Sequence, residues 1–145
     1  MSLFNAIAVS ASGLDAQRTR AELITENLAN ADTTRTPEGG PYKRKDAVFS
    51  SRALSGSFAA TLMDVSGDGP SGVSVSEITI DSTEPERRYL PGHPDADPQG
   101  YVSFPHINPA EEMVDLMSAS RGYQANVAAI TSVKDMIARS IDLFR

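Results

Sequence analysis

Two series of apolar residues at heptad spacing, one at each end of the chain, constrain this sequence more than any other feature. The C-terminal series lies within residues 108–145, a stretch in which no proline follows Pro109. With Ser120 and Lys134 included, its members recur at alternating steps of three and four residues. They are Met113, Leu116, Tyr123, Val127, Ile130, Ile137, Ile141 and Phe144. A helix over this stretch would be about 50 Å long, too long to bury itself against a small globular core.

Three residues mark the start of this C-terminal helix. Asn108 is a favourable N-cap residue, and Pro109 suits the first helical position. Glu111 lies three residues after the cap, as in a capping box. The sequence therefore predicts one helix from Asn108 to the end of the chain, in which Gly122 is the only glycine.

The N-terminal series has the same spacing and predicts a first helix from about residue 2 to residue 28 or 30. Its members are Leu3, Ile7, Ser10, Leu14, Gln17, Ala21, Ile24 and Leu28. Gly13 within this helix costs roughly 1 kcal/mol relative to alanine, so it marks a bend or a close helix contact. Small residues in both series, such as Ala21 and Ser120, would let neighbouring helices approach closely.

The economical interpretation is that the two terminal helices pack on each other as a coiled-coil-like pair, in either direction. The predicted fold is mainly α with a small β-rich insert of extended loops and a short sheet. Residues 1–32 together with 108–145 would form a helical inner domain, and residues 33–107 the insert. Because two helices cannot cover both series, we expect helices from other subunits to complete the packing. The alternative is an ordinary helical hairpin within a monomer.

Charge is unevenly distributed along the insert. Residues 33–52 carry five basic and two acidic side chains in an irregular segment, which predicts a solvated loop or an electrostatic contact with a neighbour. Residues 64–98 carry eight acidic and two basic side chains. In a homopolymer, the basic loop of one subunit would meet the acidic loop of the next and set their register.

Strands are predicted within residues 53–80. Residues 58–65 are followed by a cluster of turn residues, and Val73 and Val75 then alternate with serines. The apolar residues then change from odd-numbered to even-numbered positions, at Ile78 and Ile80, which indicates a bulge or bend at Glu77. Five prolines in residues 81–107 exclude a helix there, so we expect little regular structure.

Composition excludes several classes of protein. A net charge of −6 argues against nucleic-acid binding, and the absence of cysteine removes disulfides, thiol nucleophiles and thiolate metal sites. No apolar run reaches the roughly 18 residues of a transmembrane helix. No lysine or arginine precedes Arg18, so the basic region of a signal peptide is missing, and residues 1–31 are interpreted as mature structure.

Few residues of the sequence suggest a catalytic or metal-binding site. His93, Asp95 and Asp97 alternate in a proline-rich loop and suit a cation as ligands, but no second cluster completes a shell, which favours a rigid turn. His106 is a possible general base without a nucleophile pattern. We therefore predict no enzyme, cofactor or metal site. A metal-dependent enzyme built around His93 and a soluble coiled-coil adaptor of a secretion-type complex are the rival hypotheses.

Several stretches together resemble a known family, the proximal rod proteins of the bacterial flagellar basal body, of the FlgC type. Residues 26–34 resemble the signature that follows the first helix of axial flagellar proteins, and residues 35–42 its continuation. Residues 91–97 with 100–102 are the most type-specific stretch. Residues 111–116 with 119–126 resemble the C-terminal signature. Asp32 and His106 depart from the pattern, since asparagine is usual at both positions.

The resemblance implies a structural subunit of the basal-body rod that is exported unfolded through the flagellar type III apparatus without a cleaved signal peptide. Its terminal helices would form the inner domain and polymerise helically into a hollow, torque-transmitting tube across the periplasm. Implied partners are copies of itself, rod subunits of the FlgB, FlgF and FlgG types, and the FliE-type adaptor at the base. No nucleic acid and no membrane span are implied.

The predicted assembly interface combines the apolar series with polar residues that could fix register. It consists of Leu3, Ile7, Leu14, Ile24, Asn27, Leu28, Asn30, Met113, Leu116, Arg121, Tyr123, Asn126, Val127, Ile130, Ile137 and Ile141. We expect the two apolar series to face each other. We also expect the termini of an isolated subunit to be partly disordered, because a series without its partner does not offset the entropy of ordering.

Overall fold

The computed structural model describes residues 3–53 and 71–143 and consists of two long helices with four short strands between them. The elements in chain order are α1 (Leu3–Ala29), β1 (Lys45–Ala53), β2 (Ser71–Ile80), β3 (Glu86–Tyr89), β4 (Tyr101–Phe104) and α2 (Pro109–Asp142). This confirms the predicted fold class, mainly α with a small β-rich insert. Neither described helix has an apolar stretch suited to spanning a membrane.

The start of α2 follows the sequence prediction. Asn108 has an extended backbone, and its side-chain oxygen accepts a hydrogen bond from the backbone N–H of Ala110 at 3.1 Å. Pro109 takes the first helical position, where its missing N–H costs nothing. Glu111 and Glu112 place negative charge in the first turn, which the helix dipole favours.

The two helices pack antiparallel. Asn27 lies against Glu112, Gln17 against Gly122, and Gly13 against Asn126, so a step back along α1 is matched by an equal step forward along α2. Continued at the same register, Leu3 lies level with Met136. The last residues of α2 therefore extend beyond the first described residue of α1.

β1 and β2 form an antiparallel hairpin that packs against α1. Val48 pairs with Glu77 and Phe49 with Val75, so Ser76 is an extra residue in β2. This confirms the bulge predicted from the shift of apolar phase beside Glu77. The predicted strand over residues 58–65 and the turn cluster after it lie outside the described residues.

Two predictions about the insert were wrong. Residues 33–52 are not all irregular, because β1 begins at Lys45. Residues 81–107 hold a second antiparallel hairpin, in which β3 pairs with β4. Its prolines lie outside the strands, and Gly100 at φ 84° makes the turn into β4. A side chain there would also meet Tyr89, whose ring carbon would be 2.9 Å from an added Cβ.

The buried core is small and is centred on α1, which contacts α2 on one face and the β1–β2 hairpin on another. Its buried apolar residues are Ala16, Leu23 and Ile24 on α1, Ala119 and Val133 on α2, and Tyr42 and Val102 in the insert. A core of this size leaves many large apolar side chains of the helices outside it.

Candidate assembly surface

The contact between α1 and α2 includes small and polar residues as well as the larger apolar ones of the core. A Cβ added to Gly13 would lie 2.9 Å from the side-chain oxygen of Asn126. A Cβ added to Gly122 would lie 3.1 Å from the side-chain carbonyl carbon of Gln17. Gly13 thus marks a close helix contact, one of the two roles expected for it. A side chain at either position would displace the end of the opposing Asn126 or Gln17 side chain, so both glycines let that side chain lie close to the partner helix.

The large apolar residues of α2 flank this contact face. The residues of α2 that contact α1 include Glu112, Ala119, Gly122 and Asn126. Each of these residues is followed directly in the sequence by a member of the heptad series. One residue is about a 100° rotation on an α-helix. Met113, Tyr123 and Val127 are consequently exposed, and Leu116 and Ile130 are half-buried.

Between the two helices lies an open groove. The cavity measures about 830 Å³ and is lined by Gln17, Arg18, Ala21, Glu22, Thr25, Leu116, Ala119, Ser120 and Tyr123. Gln17 and Ala21 belong to the N-terminal series, and Leu116 and Tyr123 to the C-terminal one. Members of both series therefore border one groove.

Gln17 leaves a polar atom unsatisfied at this groove. Its side-chain oxygen is buried and accepts no hydrogen bond from any residue that the structure describes. A buried acceptor without a donor costs about 1–3 kcal/mol.

One end of the helix pair, which we call the closed end, is joined by a buried polar cluster of Asn27, Tyr42, Arg44, Lys45 and Glu112. Asn27 is fully buried. Its amide donates to the Lys45 carbonyl at 2.8 Å and to Glu112 at 3.3 Å. Its oxygen accepts from the Lys45 N–H at 2.9 Å and from the Tyr42 hydroxyl at 3.1 Å. All four hydrogen-bonding positions of the side chain are used.

The charges at the closed end are paired within the chain. Arg44 donates from Nε to Glu112 at 2.6 Å, and Glu112 is 2% exposed. Burial disfavours the charged guanidinium, but the hydrogen bond and charge of Glu112 outweigh it and raise the pKa of Arg44. Burial, together with the carboxylates of Glu26 and Glu112, raises the pKa of Tyr42 to about 12. The Tyr42 hydroxyl therefore stays protonated and remains a donor to Asn27.

The opposite end of the helix pair, which we call the open end, is apolar and exposed. It comprises Leu3, Phe4, Met136, Ile141 and Leu143. Phe4 is 75% exposed, Ile141 61% and Leu143 86%. Scattered apolar residues are common on surfaces, but a cluster at one end of an elongated molecule is typical of a binding surface.

Comparisons with known proteins give the family to which the chain belongs. A family model described as flagella basal body rod protein matches residues 7–35. Another, described as flagellar basal body rod FlgEFG protein C-terminal, matches residues 99–143. These two segments contain most of α1 and all of α2, the helices that form the groove.

Full-length relatives agree with these family models. The flagellar basal-body rod protein FlgC of Borreliella burgdorferi is 41% identical over 153 residues, covering 100% of this chain and 99% of the relative. FlgC of Bacillus subtilis is also 41% identical, with 99% of both chains covered. FlgC of Salmonella typhimurium is 39% identical over 99% of this chain and 98% of its own.

The chain belongs to the FlgC family of flagellar basal-body rod proteins. It is accordingly a structural subunit of the flagellar rod in the basal body and not an enzyme. The resemblance read from residues 26–42, 91–102 and 111–126 is thereby confirmed.

In this FlgC-family chain, the residues predicted for the assembly interface differ widely in burial. Ile24 and Asn27 are buried inside the subunit. The half-buried members are Ile7, Leu14, Leu28, Asn30, Leu116, Asn126, Ile130 and Ile137. The exposed members are Leu3, Met113, Arg121, Tyr123, Val127 and Ile141. As a set they remain a prediction for assembly, with the exposed members available to a neighbour.

The basic segment of the insert is not simply a solvated loop. Lys45 pairs with Glu26 at 2.5 Å, and Arg44 pairs with Glu112. Arg35 lies 3.7 Å from Asp95 in the acidic segment, and the Thr34 hydroxyl donates to the same carboxylate at 2.8 Å. One contact between the basic and acidic segments, that of Arg35 and Thr34 with Asp95, therefore lies within one chain.

His93, Asp95 and Asp97 each have a separate role in the β3–β4 hairpin. His93 Nδ1 accepts from the Asp95 N–H at 3.1 Å. Asp97 accepts from the N–H groups of Gln99 and Tyr101 and pairs with Arg87 at 2.6 Å. The backbone bond from Tyr101 is the main cause that lowers the pKa of Asp97. Within residues 3–53 and 71–143, no three His, Asp or Glu side chains are grouped to hold a metal ion.

Sequence reasoning missed Tyr42, Arg44 and Glu112 as members of the closed end. Glu112 gave no distinct signal, because an acidic residue in a first helical turn is expected on a solvated surface. Arg44 was one member of a basic run. Only the pairing of segments 68 residues apart in the chain makes these side chains a buried cluster.

Proposed function

We propose that this FlgC-family subunit polymerises helically through its terminal helices into part of a hollow, torque-transmitting shaft that crosses the periplasm. The observation that carries the proposal is the open groove. α2 contributes the large side chains of Leu116 and Tyr123 to it, and both helices leave large apolar side chains exposed at the open end, while the closed end is already satisfied within the chain. A surface that contacts a different surface of the next copy produces an open helical polymer.

The same proposal assigns different roles to the two parts of the subunit. Residues 1–32 and 108–145 form the inner domain that builds the tube, and residues 33–107 form an insert on its outside. The closed end supports this division, because Asn27 and Glu112 bind the insert at Lys45 and Arg44. A fixed insert would present the same surface in every copy.

Proposed partners are further copies, rod subunits of the FlgB, FlgF and FlgG types, and the FliE-type basal adaptor. The subunit would reach them by export through the flagellar type III apparatus, without a cleaved signal peptide. Two features favour export as an unfolded chain. The sequence has no cysteine to oxidise. The closed end joins residues that lie far apart in the sequence, so it forms only when both segments have been exported.

A single substitution at the groove tests the proposal. Tyr123 is an exposed residue on the groove wall, so Tyr123→Asp should leave the subunit folded but place a charge where a neighbouring helix must pack. Produced in a flagellated strain lacking its own copy of the gene, this variant should give no complete basal bodies and no motility. Electron microscopy and swimming assays provide the readout.

Two control variants make that result specific. Gln124→Asp changes the adjacent exposed position, which does not line the groove, and should support motility. His93→Ala should do so as well, because His93 serves the turn of the hairpin. Normal rods in the Tyr123→Asp strain would contradict assembly through this groove.

A further inference from the structure

The β3–β4 hairpin is tied to the loop that follows α1 through the carboxylate of Asp95. This residue lies in the connection between β3 and β4, and its side chain accepts a hydrogen bond from the Thr34 hydroxyl at 2.8 Å. The guanidinium of Arg35 lies 3.7 Å from the same carboxylate. Thr34 and Asp95 are 61 residues apart in the sequence, so this contact fixes the hairpin against the segment that leaves α1.

The backbone of Asp95 is held by a second contact, with His93. The N–H of Asp95 donates to Nδ1 of His93 at 3.1 Å. A ring nitrogen that accepts a hydrogen bond must carry a lone pair, so this contact exists only while Nδ1 is unprotonated. The imidazole is half-buried, and its ring centroid lies 6.4 Å from that of Phe104. The position of Asp95 therefore depends on the protonation state of His93.

The other charged groups near the imidazole have close partners among the described residues. Asp97, in the same connection, pairs with Arg87 at 2.6 Å. Arg88 packs on the same phenyl ring as the imidazole and pairs with Glu86 at 2.9 Å. The ion pair of Asp95, at 3.7 Å, is the longest of the three. Asp95 is thus the carboxylate that a protonated imidazole can attract most readily.

We propose that His93 and Asp95 form a proton-sensitive latch between the β3–β4 hairpin and the loop after α1. While His93 is neutral, its ring binds the Asp95 N–H, and the Asp95 carboxylate is turned to Thr34. A proton taken from water onto Nδ1 repels that N–H and attracts the carboxylate, so Asp95 turns away from Thr34. The latch is therefore closed at high pH and opens as the pH falls.

The pH range of the latch follows from the groups involved. An imidazole has an ordinary pKa of about 6.5, whereas an aspartate has one of about 3.9. Between pH 8 and pH 5 the histidine changes its charge while the carboxylates stay ionised. An open latch would let the hairpin move relative to the helices. This inference concerns the single subunit and does not depend on how copies assemble.

Two-dimensional NMR of the purified chain, titrated from pH 8 to pH 5, tests the latch. As the ring protons of His93 titrate, the amide proton of Asp95 should shift upfield, because it loses its hydrogen bond. The nuclear Overhauser contacts between Thr34 and Asp95 should be lost over the same range. All of these changes should share one midpoint.

Two variants make the result specific. His93→Asn places an uncharged carbonyl oxygen near the position of Nδ1, so it should keep the contacts of Asp95 intact from pH 8 to pH 5. His106→Asn removes the other histidine of the chain, an exposed residue, and should leave the wild-type transition unchanged.

Three outcomes would overturn the inference. Signals of Asp95 and Thr34 that stay constant from pH 8 to pH 5, whether or not the His93 ring titrates, would show that there is no latch. The same transition in His93→Asn would assign it to a different group. Loss of the Asp95 amide hydrogen bond with the Thr34 contacts retained would confine the change to the hairpin itself.

Discussion

The closed and open ends of the helix pair differ in how completely their side chains are partnered within one chain. At the closed end, Asn27 and Glu112 are buried, and the insert supplies their hydrogen-bond and ionic partners. At the open end, Phe4, Ile141 and Leu143 are largely exposed, and α2 extends beyond α1. The polar groups of the closed end are partnered within one chain, whereas the large apolar side chains of the open end are exposed.

This difference indicates how stability and assembly are divided in the subunit. Polar groups buried at the closed end have strict partners, so they fix the register of α1, α2 and the insert. Apolar side chains at the open end contribute little until they are covered, since their stabilisation scales with the area removed from water. Substitutions at the two ends should therefore have different consequences.

The largest expected effect on folding is at the closed end. Glu112→Ala leaves Arg44 without its main partner and Asn27 with an unsatisfied donor. Removing one member of a buried ion pair costs about 3–5 kcal/mol, and because Arg44 is partly exposed we expect about 3 kcal/mol. Chemical denaturation of purified protein measures this loss.

Glu111→Ala, at the exposed neighbouring position in the same helical turn, should cost no more than about 1 kcal/mol. Equal effects would show that Glu112 has no special role.

An intermediate effect is expected at the glycine contact between the two ends. Gly13→Ala brings a Cβ against Asn126, so the gain of roughly 1 kcal/mol in helix propensity should be lost. In an Asn126→Ala background the same substitution should be stabilising by about that amount. A double-mutant cycle of unfolding free energies gives the coupling. Additive effects would mean that the helices can separate at this point without cost.

A small effect on folding but a large one on assembly is expected at the open end. Ile141→Ser should change the free energy of unfolding by less than about 0.5 kcal/mol, because the side chain is already exposed. The same variant should nevertheless give few complete basal bodies. Arg139→Lys keeps the charge of a residue in the last turn of α2 and serves as the control. A strongly destabilised Ile141→Ser subunit would contradict the assignment of this end as open.

The smallest effect is a pH dependence confined to the β3–β4 hairpin. Hydrogen bonds from Tyr101 and Gln99 and the ion pair with Arg87 lower the pKa of Asp97 in the folded chain. Its stabilising contribution is therefore complete above the unfolded-state pKa of about 3.9 and is lost as the pH falls through the lower folded-state pKa. NMR signals of the Tyr101 amide should report this loss in acid, and Asp97→Asn should remove the pH dependence.

The helices could be predicted from sequence because their signals are local. Heptad spacing gave both terminal helices, and Asn108 with Pro109 gave the start of α2. The bulge beside Glu77 was visible as a shift in apolar phase. The strands β1, β3 and β4 were missed because their sequences are short or polar.

The face on which the helices meet could not be predicted from apolar residues alone. The contact uses Gly13, Gly122 and Ala119 together with polar side chains, none of which stands out in a search for large apolar residues. Of the large apolar residues, Leu116 and Tyr123 line the groove beside the contact. The role of the series in assembly remains a prediction.

Amide hydrogen exchange compared between the dilute monomer and isolated rods tests the central claim most directly. We predict slow exchange at the closed end of the monomer, over residues 20–27 and 112–119, and fast exchange at the open end, over residues 3–9 and 134–143. In rods the open end should become as protected as the closed end. An open end that is already fully protected in the monomer would contradict the account.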